Sequence, residues 1–256
     1  MRMKPWPTCE RRDSNAQPML ANFQDTNPQS GLLKKDVHLP ATSRYALIEF
    51  ITGELPRWRD RNDRKAETAE TILTSQLCAH LNSVARHSTW DFIQFRVEEP
   101  DEKHKGRKLD LVAAPCGVPV LIEGRSYTDF EPILPIECKR LPTPTDKNRD
   151  EREYVFSRHS STGGIQRFKA GHHGATHSLA AMIAYVQEET LVFWSKQVSK
   201  WVKGLVSANE QGWSNEDVLH TISKDEKKQI CVLRSSHIRS DKQGQIELQH
   251  LWVNMQ

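Results

Sequence analysis

Apolar residues recur every three or four positions in two long stretches of the chain. From Lys65 to Arg86 they are Ala66, Ala69, Leu73, Leu77, Leu81 and Val84, a stripe that predicts an amphipathic helix. From Leu191 to Val206 they are Leu191, Trp194, Val198, Trp201, Val202 and Leu205. That spacing predicts a second helix, with both tryptophans packed in the core rather than serving as a ligand platform. An earlier stripe of Tyr45, Leu47, Ile48, Ile51 and Leu55 starts at Ser43 and is expected to stop at Pro56, which lacks an amide donor.

Strands alternate with these helices. Phe92 to Val97 alternates apolar and polar residues, the period of a half-buried strand. Lys108 to Ala113 and Ile133 to Leu141 are two further strands, and Val118 to Ile122 is either another strand or a hairpin arm. A short helix is expected over the segment Gly163 to Phe168, stopped by Gly171. Ala180 to Val186 is short and wholly apolar, which favours a buried central strand over a helix. Ile230 to Arg234 and Ile246 to Val253 flank a polar Gly-containing turn and predict an antiparallel pair. The order predicts an α/β chain of α+β character: a mixed sheet with helices on both faces, plus a C-terminal helix and hairpin.

Composition divides the chain. Residues 1–40 are rich in Pro, Asn, Gln, Ser and Asp without a sustained period and are expected to form a flexible extension. Residues 41–256 are expected to form one domain, with a core at 65–187 and a C-terminal part at 188–256. The 36 basic and 33 acidic residues leave a net charge of only +3, so a nucleic-acid partner has to be held by a local basic face. Arg57 to Lys65 and Lys103 to Lys108 are such basic stretches; the first is either a solvated connector or an edge that touches phosphate. The five cysteines are widely spaced with no C-x-x-C, which argues for a reducing, cytoplasmic setting and against a disulfide framework or zinc ribbon. No apolar run reaches membrane-spanning length.

Charge inside the apolar strands changes the picture most. Glu137 and Lys139 fall on one face of their strand, with Ile136 and Cys138 on the other. Asp110 interrupts the apolar run before it. Glu70 stands near the start of the first long helix, where an acidic residue also simply opposes the helix dipole. Glu137 and Lys139 read alone are equally a same-face ion pair. Together the four fit phosphodiester hydrolysis, in which hard oxygen ligands hold a magnesium ion (or manganese in its place) and a lysine stabilises developing charge. Asp110, Glu137 and the backbone carbonyl of Cys138 would be the ligands, Glu70 a further one through water, and Lys139 the residue that orients the attacking water. Arg158, Gln166, Arg167 and His173 are candidate nucleic-acid contacts. His172, His173 and His177 are a weak zinc set, since adjacent histidines seldom reach one ion together. His237, Arg239 and His250 mark either a second polar patch near the site or an exposed strand face.

Glu70 on a helix, then Asp110, then Glu137-Cys138-Lys139 resembles the PD-(D/E)xK nuclease superfamily. The resemblance implies a restriction-endonuclease-like core of helix, three-strand meander, helix and strand. It also implies a metal-dependent nuclease whose signature is Asp110, Glu137 and Lys139, acting on DNA, with RNA as the alternative. Nucleases of this fold often act as homodimers or beside a helicase or sensor subunit. Leu109 stands where the superfamily name has proline. Ala170, four residues after Gln166, stands where the recombination-exonuclease branch has tyrosine, a departure that counts against an exonuclease assignment. Tyr154, Gly164 to Phe168, Met182 to Val186, Ser236 to Arg239 and His250 are similar to bacterial restriction-like proteins associated with antiviral defence. A non-catalytic nucleic-acid-binding or complex-forming subunit is the alternative from another class.

Overall fold

A computed structural model describes residues 38–39, 42–101, 106–146, 149–158, 163–239 and 244–256. The chain divides between Asp36 and Val37, and all described residues belong to the second unit. The expected flexible extension lies outside the described residues except for His38 and Leu39. These two form β1 and pair in parallel with Leu121 and Ile122.

Helix α1 (Thr42–Arg59) and helix α2 (Glu70–Ala85) precede strands β2 (Ile93–Pro100) and β3 (Lys108–Pro115). A small hairpin follows, β4 (Val120–Ile122) and β5 (Arg125–Tyr127). Then come β6 (Leu134–Leu141), α3 (Gly164–Lys169), β7 (Leu179–Val186) and α4 (Leu191–Ser207). The chain closes with β8 (His220–Asp225), β9 (Ile230–Ile238) and β10 (Gln245–Asn254). Seven strands form one mixed sheet in the order β2-β3-β6-β7-β10-β9-β8, and β1-β4-β5 form a separate small sheet. The meander β2-β3-β6 is antiparallel, whereas β7 runs parallel to both β6 and β10.

All eight residues of β7 are buried, and their alternation explains why this apolar run is a strand. Leu179, Ala181, Ile183 and Tyr185 join a core with α1 and α2 on one face. Ala180, Met182, Ala184 and Val186 join a core with α3 and α4 on the other. A helix could not divide its residues by twos in this way. Trp194 and Trp201 are both buried in the second core, and Thr190 caps their helix by accepting the amide hydrogen of Phe193. Among the described residues no helix is long and apolar enough to cross a membrane.

Three local expectations are corrected. Helix α1 continues through Pro56 to Arg59; buried Leu55 and Trp58 on either side of the proline outweigh the one lost backbone bond. Helix α2 begins at Glu70, five residues later than the apolar stripe from Lys65 predicts. Strand β8 has no counterpart in the sequence reading, because it is an edge strand with no buried residue and hence no apolar alternation.

Candidate functional site

The site forms where β3 and β6 part. Their ladder ends at the pair Leu111–Ile136. Beyond it, the amide hydrogens of β6 that face β3 are taken by side chains. Asp110 Oδ2 accepts the Cys138 N–H at 2.8 Å, and Glu70 Oε2 accepts the Arg140 N–H at 2.9 Å. Two carboxylates from different elements thus replace the missing strand and satisfy donors that burial would otherwise leave unpaired.

Glu70 is placed from outside its own helix. Ala69, the residue before it, gives no side-chain cap. Instead the carbonyl of Thr68 accepts hydrogen bonds from Arg140 Nη1 at 2.7 Å and Gln187 Nε2 at 2.8 Å. The helix start is thereby tied to the ends of β6 and β7.

Lys139 stands at the centre. Its Nζ lies 2.8 Å from Glu137 Oε1, 3.3 Å from Glu70 Oε1 and 3.5 Å from Asp110 Oδ2, and it donates to the Cys138 carbonyl at 3.0 Å. Burial alone would lower the lysine pKa, but Glu137, Asp110 and Glu70 together raise it well above its ordinary value, so the side chain is an ammonium. Cys138 turns its thiol to the opposite core beside Thr74 and Tyr185, as the alternation requires.

Glu137 is wholly buried. Besides Lys139 it meets Arg167 Nη1 at 2.5 Å and His173 Nδ1 at 3.1 Å. Burial pushes its pKa up, yet Lys139, the His173 hydrogen bond and Arg167 outweigh burial and hold it below the ordinary carboxylate range. Asp110 is raised to about 6 by burial and then by the charge of Glu137, against the pull of Lys139 and the Cys138 amide. Its side chain keeps 28% of its exposure, and among the described residues no donor meets Oδ1.

The four residues Glu70, Asp110, Glu137 and Lys139 are therefore together. The candidate nucleic-acid contacts have a different placement. Arg167 and His173 are engaged with Glu137, and His173 is 1% exposed. Gln166 accepts the amide hydrogens of Ser157 and Gly163. Arg158 is exposed, with its amide bonded to Asp150. Helix α3 reaches Glu137 because Gly164 carries no side chain: a Cβ there would stand 2.5 Å from Met182 Cε and 2.9 Å from the Tyr154 carbonyl.

The terminal hairpin is not an exposed polar face. His237, Arg239 and His250 are buried. Arg239 donates to the carbonyls of Phe168, Gly174, Ala175 and His177, so it holds the turn that carries His173 over Glu137. A buried polar chain runs beside it. Asp217 Oδ1 meets His237 Nδ1 at 2.6 Å, Ser235 Oγ meets His237 Nε2 at 2.6 Å and His250 Nε2 at 2.7 Å, and Tyr154 OH meets His250 Nδ1 at 2.8 Å. The sequence singled out Tyr154, His237 and His250; Asp217 and Ser235 join them only through the fold.

The residues at β6 fit a magnesium ion in kind. The donors are carboxylate and carbonyl oxygens, the hard ligands that ion takes. Three carboxylates face two cationic side chains, Lys139 and Arg167, which leaves the cluster one negative charge in excess. As placed, the Lys139 ammonium stands between the carboxylates, and among the described residues no three acidic, imidazole or thiol groups are arranged to hold an ion. No match to the chain was found among protein-family models, curated proteins or solved structures.

Proposed function

We propose that this protein is a magnesium-dependent nuclease of the PD-(D/E)xK type that hydrolyses phosphodiester bonds in DNA, as an endonuclease in antiviral defence. The observation that carries the reading is the convergence of Glu70, Asp110, Glu137 and the Cys138 carbonyl on one positive charge, the ammonium of Lys139. The order α2, β2-β3-β6 meander, α3, parallel β7 also supports it, since it follows the restriction-endonuclease-like core.

Asp110, Glu137 and the Cys138 carbonyl would hold the ion, with Glu70 joined through water. The bound ion supplies charge neutralisation at the phosphate and a more acidic water. Lys139 would orient the attacking water and stabilise the charge that develops on the phosphate. Arg167 and His173 keep Glu137 ionised and fixed. The experiment is plasmid cleavage by purified protein with magnesium or with chelator. Cutting that needs magnesium and is lost in Lys139→Met supports the reading; equal cutting by both proteins contradicts it.

One observation favours a second reading, a non-catalytic nucleic-acid-binding subunit. Glu137 is fully buried and already paired with Lys139, Arg167 and His173, as a structural ion cluster would be. Salt-dependent DNA binding with no cleavage in magnesium or manganese would select it.

A further inference from the structure

Helix α3 serves two sides. Arg167 turns to Glu137. Gln166 and Lys169, three apart and so neighbours on the helix surface, line a groove of about 580 Å³ together with Phe156, Trp213, Ile238 and Arg239. That volume lies within the range of small-ligand sites. The width of one helix, about 10 Å, separates the groove from the carboxylate cluster. The two are also joined mechanically. Gln166 precedes Arg167 in α3, and Arg239 grips the turn that carries His173 to Glu137 through the carbonyls of Gly174 and His177.

The groove holds apolar surface that the fold leaves open. Trp213 is half-buried, and its ring is fixed in place. The Phe156 ring meets it at 6.3 Å and 83°, and the Lys169 ammonium lies 5.0 Å from its centroid. Ile238, on the same groove, is 63% exposed. Rigid apolar side chains left open in a concave surface mark a binding site.

Charge narrows the class of ligand. Lys169 is neutralised by Asp217. Arg239 is not neutralised. It is 4% exposed, and its donors go to the carbonyls of Phe168, Gly174, Ala175 and His177. Burial lowers its pKa, and among the described residues no carboxylate opposes that. Glu210, the acidic residue of the lining, is exposed, where water and salt screen it. A desolvated guanidinium without a counter-ion favours an anion in the groove. Gln166 adds a donor. Its Oε1 accepts the amides of Ser157 and Gly163, and its Nε2 donates to nothing among the described residues. An open indole, an uncompensated cation and an unused amide donor together match a nucleotide. The base stacks on the ring, its edge takes the amide hydrogen, and its phosphate lies in the field of the guanidinium.

We propose that this groove binds one nucleotide, with its base against Trp213 and Ile238, and, resting on the nuclease reading, that this is an unpaired nucleotide of the substrate strand next to the bond that is cut. The carboxylate cluster then acts where a base is out of the stack, and the groove positions the strand for it.

The test is fluorescence anisotropy in chelator with a short oligothymidylate and with a strand of the same length built from abasic sites, which keeps every phosphate and removes every base. Wild type should bind the strand with bases about tenfold tighter, the lower end of what one stacked base contributes. Trp213→Ala should bring the two affinities together, Trp213→Phe should keep most of the difference, and Ile238→Ser should reduce it. The oligothymidylate should quench tryptophan emission in wild type and quench it less in Trp213→Phe, with folding matched by circular dichroism. Equal affinity for both strands in wild type, or a difference that survives Trp213→Ala in folded protein, overturns the proposal. Thymidine 5′-monophosphate that displaces the strand at a lower nucleotide concentration than unlabelled oligothymidylate makes a free nucleotide the ligand and overturns the substrate assignment. Magnesium-dependent plasmid cutting separates the two ideas. Cutting without base preference removes this site alone, and base preference without cutting removes the nuclease reading and leaves a nucleotide site.

Discussion

Asp110 Oδ2 accepts the backbone N–H of Cys138 at 2.8 Å, beyond the last backbone pair of β3 and β6. A carboxylate that completes a strand has two tasks, and substitution separates them. Asp110→Asn keeps an acceptor for the amide; Asp110→Ala does not. The alanine variant should lose about 1–3 kcal/mol, the cost of an unsatisfied buried donor, and the asparagine variant should not, as measured by urea denaturation at pH 7.

The same pair gives a pH signature. The folded-state pKa of Asp110 is raised to about 6 from an ordinary value of 3.8, so the folded state binds the proton more tightly than the unfolded chain. Its contribution to stability is present below pH 4 and is lost as pH rises through 6. Asp110→Asn should therefore equal or exceed wild type in stability at pH 7, with the difference closing toward pH 4. Magnesium should raise the Tm of wild type and leave that of Asp110→Asn unchanged, since only a native state that binds the ion gains from it.

Glu137 is the fixed centre of the cluster. Glu137→Ala would leave the buried Lys139 and the partly buried Arg167 facing each other without their carboxylate. Breaking a buried ion cluster from one side costs about 3–5 kcal/mol. Chemical denaturation should show a loss of that size, far larger than for removal of the exposed pair Lys224–Glu226.

Much of this site was legible because strand alternation is strict. Glu137 and Lys139 had to share a face, and Asp110 in an apolar run had to sit beside them or be unpaired. Glu70 was also identified, although its helix start proved later than the apolar stripe suggested. What the sequence did not carry was the company these residues keep. Arg167 and His173 reach Glu137 only through the close approach of Gly164 to Met182 and Tyr154 and the grip of Arg239 on the following turn. Those are tertiary contacts with no local period. The exposed strand β8 and the proline inside α1 escaped for the same reason: neighbouring strands and buried neighbours decide them, not their own pattern.

The buried histidines predict acid sensitivity. Burial lowers the pKa of His250, and burial with the charge of Lys169 lowers that of His237 despite Asp217. The unfolded chain therefore takes up protons first as pH falls. Their contribution is fully present above about pH 6.5 and declines below it. Stability should fall as pH drops from 6.5 to 5.5, and His250→Gln should make that fall shallower in denaturation series across the interval.

Tyr154 ends that polar chain and ties it to Trp252. Its hydroxyl meets His250 Nδ1 at 2.8 Å and accepts from Trp252 Nε1 at 2.8 Å. Tyr154→Phe preserves the ring and leaves both partners unsatisfied. A loss of about 2 kcal/mol is expected, with the indole's near-ultraviolet circular dichroism altered.

The central claim is that Asp110, Glu137 and Lys139 hydrolyse phosphodiesters with a divalent ion. It is tested most directly by single-turnover cleavage of DNA in magnesium by wild type and Asp110→Asn, with both proteins matched for folding by circular dichroism. The account predicts cutting by wild type, none in chelator, and a loss of at least about a hundredfold in the variant, the scale of removing one essential electrostatic group. A folded Asp110→Asn protein that cuts at the wild-type rate would contradict it.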